Sequence, residues 1–109
     1  LLQTKGARSG NRFDVPLIPV LEDARIFLFG TNAGSPKQPI WALNVLAHPR
    51  IVVEYEARIF EAIIEPLSSV DADARLAQRA QDSEQLQQYL ANAAPRKVPV
   101  FEVCEIKSL

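Results

Sequence analysis

Methionine is absent from this 109-residue chain, and cysteine, histidine and tryptophan occur once each, as Cys104, His48 and Trp41. A single cysteine closes no disulfide within the chain, which excludes a cross-linked secreted scaffold and makes a reducing cytoplasm the expected setting. With so few nitrogen and sulfur ligands, no metal centre is expected. The HExxH and GxSxG patterns and any Cys–His nucleophilic pair are missing as well, so no hydrolytic constellation stands out. No apolar run approaches the roughly 20 residues of a membrane-spanning helix, and no secretory signal pattern is visible. Nor is there an excess of positive charge: the formal net charge of −1 argues against a general nucleic-acid binder. The opening Leu1-Leu2-Gln3-Thr4 is already strand-like and carries no initiator, so residues upstream of it are expected.

What remains is ordinary for a globular domain: 48% hydrophobic and 23% charged residues, in one domain that buries roughly two-thirds of its unfolded surface. Glycine is scarce, and three of the four glycines fall in two short stretches. The first is Gly6-Ala7-Arg8-Ser9-Gly10. The second is Thr31-Asn32-Ala33-Gly34-Ser35-Pro36-Lys37-Gln38-Pro39-Ile40-Trp41. Each is a turn containing a cation at the end of a strand-like run. Glycine lets a backbone approach a ligand and aim its N–H groups at it. The second stretch runs into the first turn of a helix, whose unpaired N–H groups add a partial positive charge. Side by side, the two turns would cradle a phosphate-bearing ligand. Charge distribution agrees: residues 1–50 hold six Lys/Arg against three Asp/Glu, residues 51–109 six against ten. Arg8 and Lys37 are candidate contacts to phosphate or carboxylate, and Trp41 either packs in the core or walls a pocket.

Leu1 to Thr4, Phe13 to Val20 and Arg25 to Phe29 read as strands, the last two joined as a hairpin by Leu21-Glu22-Asp23-Ala24. Pro16 and Pro19 remove backbone donors and send the second strand to an edge or a bulge. Ile40, Leu43, Leu46 and Ala47 share one face of a short helix with Pro39 at its start, and His48-Pro49 ends it. Ile51 to Tyr55 and Arg58 to Ile64 form a second hairpin around Glu56-Ala57, a turn without its preferred Asn or Gly. Ser69 to Asn92 reads as a polar helix capped by Ser69 and weakened near Asp82-Ser83, lying over the barrel. Val98 to Ile106 is the last strand. The order β-β-β-α-β-β-α-β points to a small closed or split antiparallel barrel. It does not fit a parallel dinucleotide-binding fold.

The motifs Leu2-Gln3-Thr4, Gly6-Ala7-Arg8-Ser9-Gly10, Pro16-Leu17, Asn32 to Trp41, Asn44 with Leu46 to Pro49, and Val98 to Glu102 together resemble the deazaflavin-dependent nitroreductase family. That resemblance implies a split β-barrel, mainly β with α, that binds coenzyme F-420, an 8-hydroxy-5-deazaflavin with a phosphate and a polyglutamate tail. It implies hydride donation from the reduced cofactor to a quinone, a nitroaromatic or another conjugated acceptor. By position, Ala7, Arg8, Ser9 and Lys37 would hold the phosphate and acidic tail. Phe13 stands where the family has an arginine, and Pro16, Leu17, Ile18, Thr31 and Asn32 would lie along the ring. Ile40, Trp41, Ala42, Leu43 and Asn44 would close the phosphate end. Ile18, Ala42 and Trp41 could shape an apolar slot for the acceptor. No acid–base residue is implied, because the cofactor carries the hydride. Arg12 is displaced by one position from the family's arginine and would face the other side of its strand. Ala7 replaces a basic residue, and Ile18 and Ala42 replace tyrosines. The resemblance further implies an upstream segment that can cover the pocket or touch a membrane; the sequence does not fix the oligomeric state, a homodimer being one possibility. Two other readings stand beside it: a flavin-mononucleotide split-barrel oxidase, and a flavin- or deazaflavin-binding module without turnover.

Overall fold

In the computed structural model, which describes residues 1–109, the alternating apolar runs form seven strands. These are β1 (Leu2–Lys5), β2 (Arg12–Val15), β3 (Val20–Glu22), β4 (Arg25–Phe29), β5 (Arg50–Tyr55), β6 (Arg58–Pro66) and β7 (Val100–Ser108). Three helices interrupt them: α1 (Ile40–Ala47), α2 (Ser69–Ala80) and α3 (Glu84–Ala93). All strand pairs are antiparallel, in the order β2-β1-β5-β6-β7-β4-β3.

The two outermost strands, β2 and β3, are consecutive in sequence. A flat seven-stranded sheet would hold them about 29 Å apart. The five steps from Val15 to Val20 reach about 18 Å at most. The sheet must therefore curl until its edges approach, and it does so without β2 and β3 pairing. The result is a split barrel, as the strand order anticipated.

Proline decides where it splits. The run Phe13 to Val20, read as one strand, is broken at Pro16–Pro19 into β2 and β3, because each proline lacks the donor a ladder needs. Both pieces are edge strands, as the prolines required. The hairpin turns Asp23-Ala24 and Glu56-Ala57 have φ of 54° and 58°, and 48° and 60°. These are the left-handed pairs of a two-residue hairpin turn, made without Asn or Gly at the second and without Gly at the first.

Three further expectations change. Helix α1 turns Trp41, Ala42, Asn44 and Val45 inward, while Ile40, Leu43 and Leu46 are exposed. In an eight-residue helix that is apolar almost all round, periodicity does not fix the phase. The Trp41–Val45 ridge is the face that packs over β1 and β6, placing the large indole in the core. The cap of α2 is Ser68 rather than Ser69, its hydroxyl accepting from the Asp71 amide at 3.2 Å. The expected break in the helical stretch is there: Ser83 caps α3 through the Leu86 amide at 3.1 Å. The last strand starts at Val100, two residues later than its apolar pattern suggested.

Two apolar clusters fill the molecule. One, around Trp41, Val45, Phe60, Ile64 and Phe101, lies within the curl of the sheet beneath α1. The other, around Phe27, Leu76, Leu86 and Val100, is covered by α2 and α3. The helical excursion between β6 and β7 thus lies against the outside of the barrel, beside the start of β7.

Candidate cofactor site

The first glycine turn closes on itself. The Gly6 amide donates to the Asn11 carbonyl at 2.8 Å and the Gly10 amide to the Gly6 carbonyl at 2.9 Å. A side chain at Gly6 would put its Cβ 2.6 Å from Ser9 Oγ and 3.0 Å from the Phe13 ring, so the turn tightens only around glycine. Ser9 Oγ accepts from the Asn11 amide at 3.1 Å. The amides of Arg8 and Ser9 have no intramolecular acceptor, and the Arg8 guanidinium has no carboxylate partner.

The second turn is left-handed. Asn32, Ala33 and Gly34 have φ of 47°, 53° and 83° in succession, a conformation that costs about 1–2 kcal/mol at each non-glycine residue. Arg96, between α3 and β7, holds it: Nε donates to the Ser35 carbonyl (3.0 Å), Nη1 to the Gly30 carbonyl (3.1 Å) and Gln38 Oε1 (3.0 Å), Nη2 to the Thr31 carbonyl (2.8 Å). Asn32 Nδ2 donates to the Lys37 carbonyl at 3.0 Å, and the Lys37 amide donates to Ser35 Oγ at 3.1 Å. Pro39 then caps α1 in an extended conformation, leaving the Ile40 and Trp41 amides unpaired, with no acidic residue in that first turn.

The two turns meet. Asn44, buried on the inner side of α1, accepts the Ala7 amide on Oδ1 at 3.0 Å. This one bond ties the first turn to the helix that follows the second. Beside them lies an open cleft of roughly 680 Å³, walled by Phe13 and Val15 of β2, by Asn32 and Lys37 of the second turn, and by Trp41 and Asn44 of α1. Trp41 packs its ring against Phe101, centroids 5.5 Å apart and tilted by 59°, so the indole that borders the cleft is anchored in the core.

Charge pairing sharpens the picture. Seven of the twelve Lys/Arg residues face a carboxylate within 4 Å. Of the five left without one, Arg8 and Lys37 sit on the two turns, Arg96 clasps the second, Lys5 directly precedes the first, and only Arg79 is elsewhere, on α2. Asp14, the acidic residue at the cleft, is spent on Arg12: two hydrogen bonds of 2.7 and 3.1 Å hold its carboxyl below the usual range. Arg12 itself is not on the cleft wall and borders a separate groove with Gln3, Thr4 and Arg50.

Phe13, Asn32, Lys37, Ile40, Trp41 and Asn44 all border this cleft, with Ala7, Arg8 and Ser9 adjoining it through Asn44. Thr31 contributes its carbonyl to the Arg96 clasp rather than a side chain to the wall. The remaining candidates are placed differently. Pro16 and Ile18 are exposed, and Leu17 turns into a separate apolar cavity inside the barrel. Ala42 is buried in the core beneath α1, and Leu43 projects from its exposed face. Ser35, Gln38 and Arg96 were not singled out by the sequence. The signal for Arg96 is long-range: pairing of β4 with β7, and the Gly30 amide on the Pro99 carbonyl at 2.8 Å, bring residue 96 under the turn after β4.

Comparison with known proteins bears on the fold and the family. One solved structure, an F420-H2 dependent reductase, superposes with a TM-score of 0.76 at 26% identity, covering 94% of this chain and 90% of that one. Another, described as a domain-swapped dimer, gives the same TM-score and identity over 94% of this chain and 76% of its own. The family described as "F420H(2)-dependent quinone reductase" matches residues 1–105. With that match over nearly its whole length, on a split barrel with two glycine turns joined through Asn44, the chain belongs to the F-420-dependent quinone reductase family.

Proposed function

We propose that the cleft holds reduced coenzyme F-420 with its phosphate and acidic tail across the two turns, and that a quinone is reduced against its ring. The chain is an F-420-dependent reductase by family; the placement of the cofactor in this cleft is our own reading. The observation that carries it is a set of unpaired donors on the cleft wall and on the turn tied to it: Lys37 and the amides of Ile40 and Trp41 at the cleft, and Arg8 with the amides of Arg8 and Ser9 on the first turn, which Asn44 joins to that wall. That donor set suits a phosphate monoanion or dianion and carboxylates, and nothing acidic opposes it except the neutralised Asp14.

When bound, the cofactor supplies the hydride. The chain's residues supply position. The Arg8 and Lys37 side chains and the turn amides would hold the charged end, while Phe13, Val15 and Trp41 offer apolar walls for a flat ring. No residue at the cleft is assigned as a general acid, so the proton for the reduced product comes from solvent. Nitroaromatic reduction is a second acceptor class, and the cytoplasm is the proposed setting; no helix of the chain is long and apolar enough to cross a membrane. A homodimer is proposed in the light of the similar domain-swapped structure.

The test is spectroscopic. Titration with reduced F-420 and with flavin mononucleotide, followed by addition of a soluble quinone, should give tight F-420 binding and acceptor-dependent loss of the reduced cofactor. Preference for the flavin supports an oxidase instead. Tight F-420 binding without turnover supports a carrier module.

A further inference from the structure

Arg96 is the one arginine whose guanidinium makes four hydrogen bonds and none to a carboxylate. Its acceptors bracket the left-handed stretch: Gly30 and Thr31 before it, Ser35 and Gln38 after it. Behind the same stretch stands α3. A side chain at Gly34 would bring Cβ to 3.1–3.2 Å of Asn92 Cβ and the Tyr89 backbone, so the turn is pressed against the helix. Strained backbone persists only where its surroundings over-determine it, and here the surroundings are one helix and one fork of donors. The link continues outward. Ser35, held by Arg96 through its carbonyl, accepts the Lys37 amide on its hydroxyl, and Asn32 holds the Lys37 carbonyl.

We propose that Arg96 is a positioning residue: it holds the second turn in its left-handed form, aims the Lys37 segment, and so sets the preference for the phosphate-bearing cofactor over its phosphate-free chromophore. This rests on the F-420 reading above. The role needs the planar fork, because one ammonium group cannot meet three carbonyls and an amide oxygen spread over the turn. It also uses the charge, which no carboxylate cancels and which adds to that of Lys37 beside the cleft.

The experiment compares equilibrium binding of F-420 and of the 8-hydroxy-5-deazaflavin chromophore lacking phosphate and tail, in the parent, Arg96→Lys and Gln38→Ala. Arg96→Lys keeps the charge and loses the fork; it should weaken F-420 by about tenfold, the scale of charge-assisted hydrogen bonds, and leave the chromophore within about twofold. Gln38→Ala removes one acceptor of the clasp and should move the same ratio by less, which keeps the test decisive if Arg96→Lys folds poorly. Lys37→Ala should cost less in the Arg96→Lys background than alone, since a mis-aimed turn has less of that contact to lose. Equal weakening of both ligands, in step with the melting temperature, would reduce Arg96 to a structural residue and overturn the inference. So would unchanged discrimination in both variants. A parent that binds F-420 no better than the bare chromophore would overturn the cofactor reading itself, an outcome distinguishable from either.

Discussion

Asparagine is a poor helix former, yet Asn44 sits in the middle of α1, buried, with its side chain turned to the Ala7 amide. The position makes sense only as a tether between the two turns. Asn44→Ala leaves that amide without its acceptor; Ala7 is exposed, so water can replace the bond, and we expect a loss of about 0.5–1.5 kcal/mol in stability, the net worth of one hydrogen bond, together with weaker F-420 binding. Urea denaturation and cofactor titration on the same variant check both effects. An unchanged denaturation midpoint would mean the tether carries no free energy. Cys104 is another matter. Burial, and then the nearby Glu102 and Glu65, push its thiol above the ordinary value, so it stays protonated and unreactive at neutral pH.

Strands and turns show most clearly what the sequence makes legible. The β5–β6 hairpin is local, and its alternating residues with a two-residue connector suffice to place it. The split of Phe13 to Val20 into two strands at opposite edges is not local: proline marks the break, but only the closure of the whole sheet says where each half goes. Helix α1 is misread for a different reason. Eight residues, nearly all apolar, give no polar face to orient them, and the choice falls to the shape of the surface beneath. Of the site, the two turns, Lys37, Trp41 and Asn44 are legible from glycine placement and family resemblance. Arg96 is invisible without the β4–β7 register. The turns also carry a testable strain. Glu56 and Ala57 both have left-handed φ without the residue types that tolerate it. Glu56→Asn with Ala57→Gly should therefore stabilise the fold by about 1 kcal/mol, less the unfolded-state entropy that glycine adds. A higher melting temperature with unchanged cofactor affinity is expected, since neither residue borders the cleft.

At the scale of the whole molecule, arginine–carboxylate pairs lace the curled sheet, and apart from Arg79 on α2 the cations left without carboxylates lie on or beside the two turns. Asp14, Glu61 and Glu102 are each held below the ordinary carboxylate range, chiefly by hydrogen bonds from Arg12, Arg50 and Arg25 respectively. Each binds its proton less readily folded than unfolded. The stability they contribute is therefore complete above the unfolded value near 4 and is lost as pH falls through the depressed folded values. Melting temperature should be flat from pH 8 to 6 and fall below about pH 4.5; a melting temperature that holds constant down to pH 3 would show these pairs to be energetically silent. The cations left over at the cleft bear on function. Calorimetric titration of F-420 into the parent and Lys37→Ala reads that role most directly. Loss of about 1–3 kcal/mol in affinity, roughly 5- to 150-fold, is the expected result; equal dissociation constants would contradict the assignment of the second turn to the cofactor's charged end.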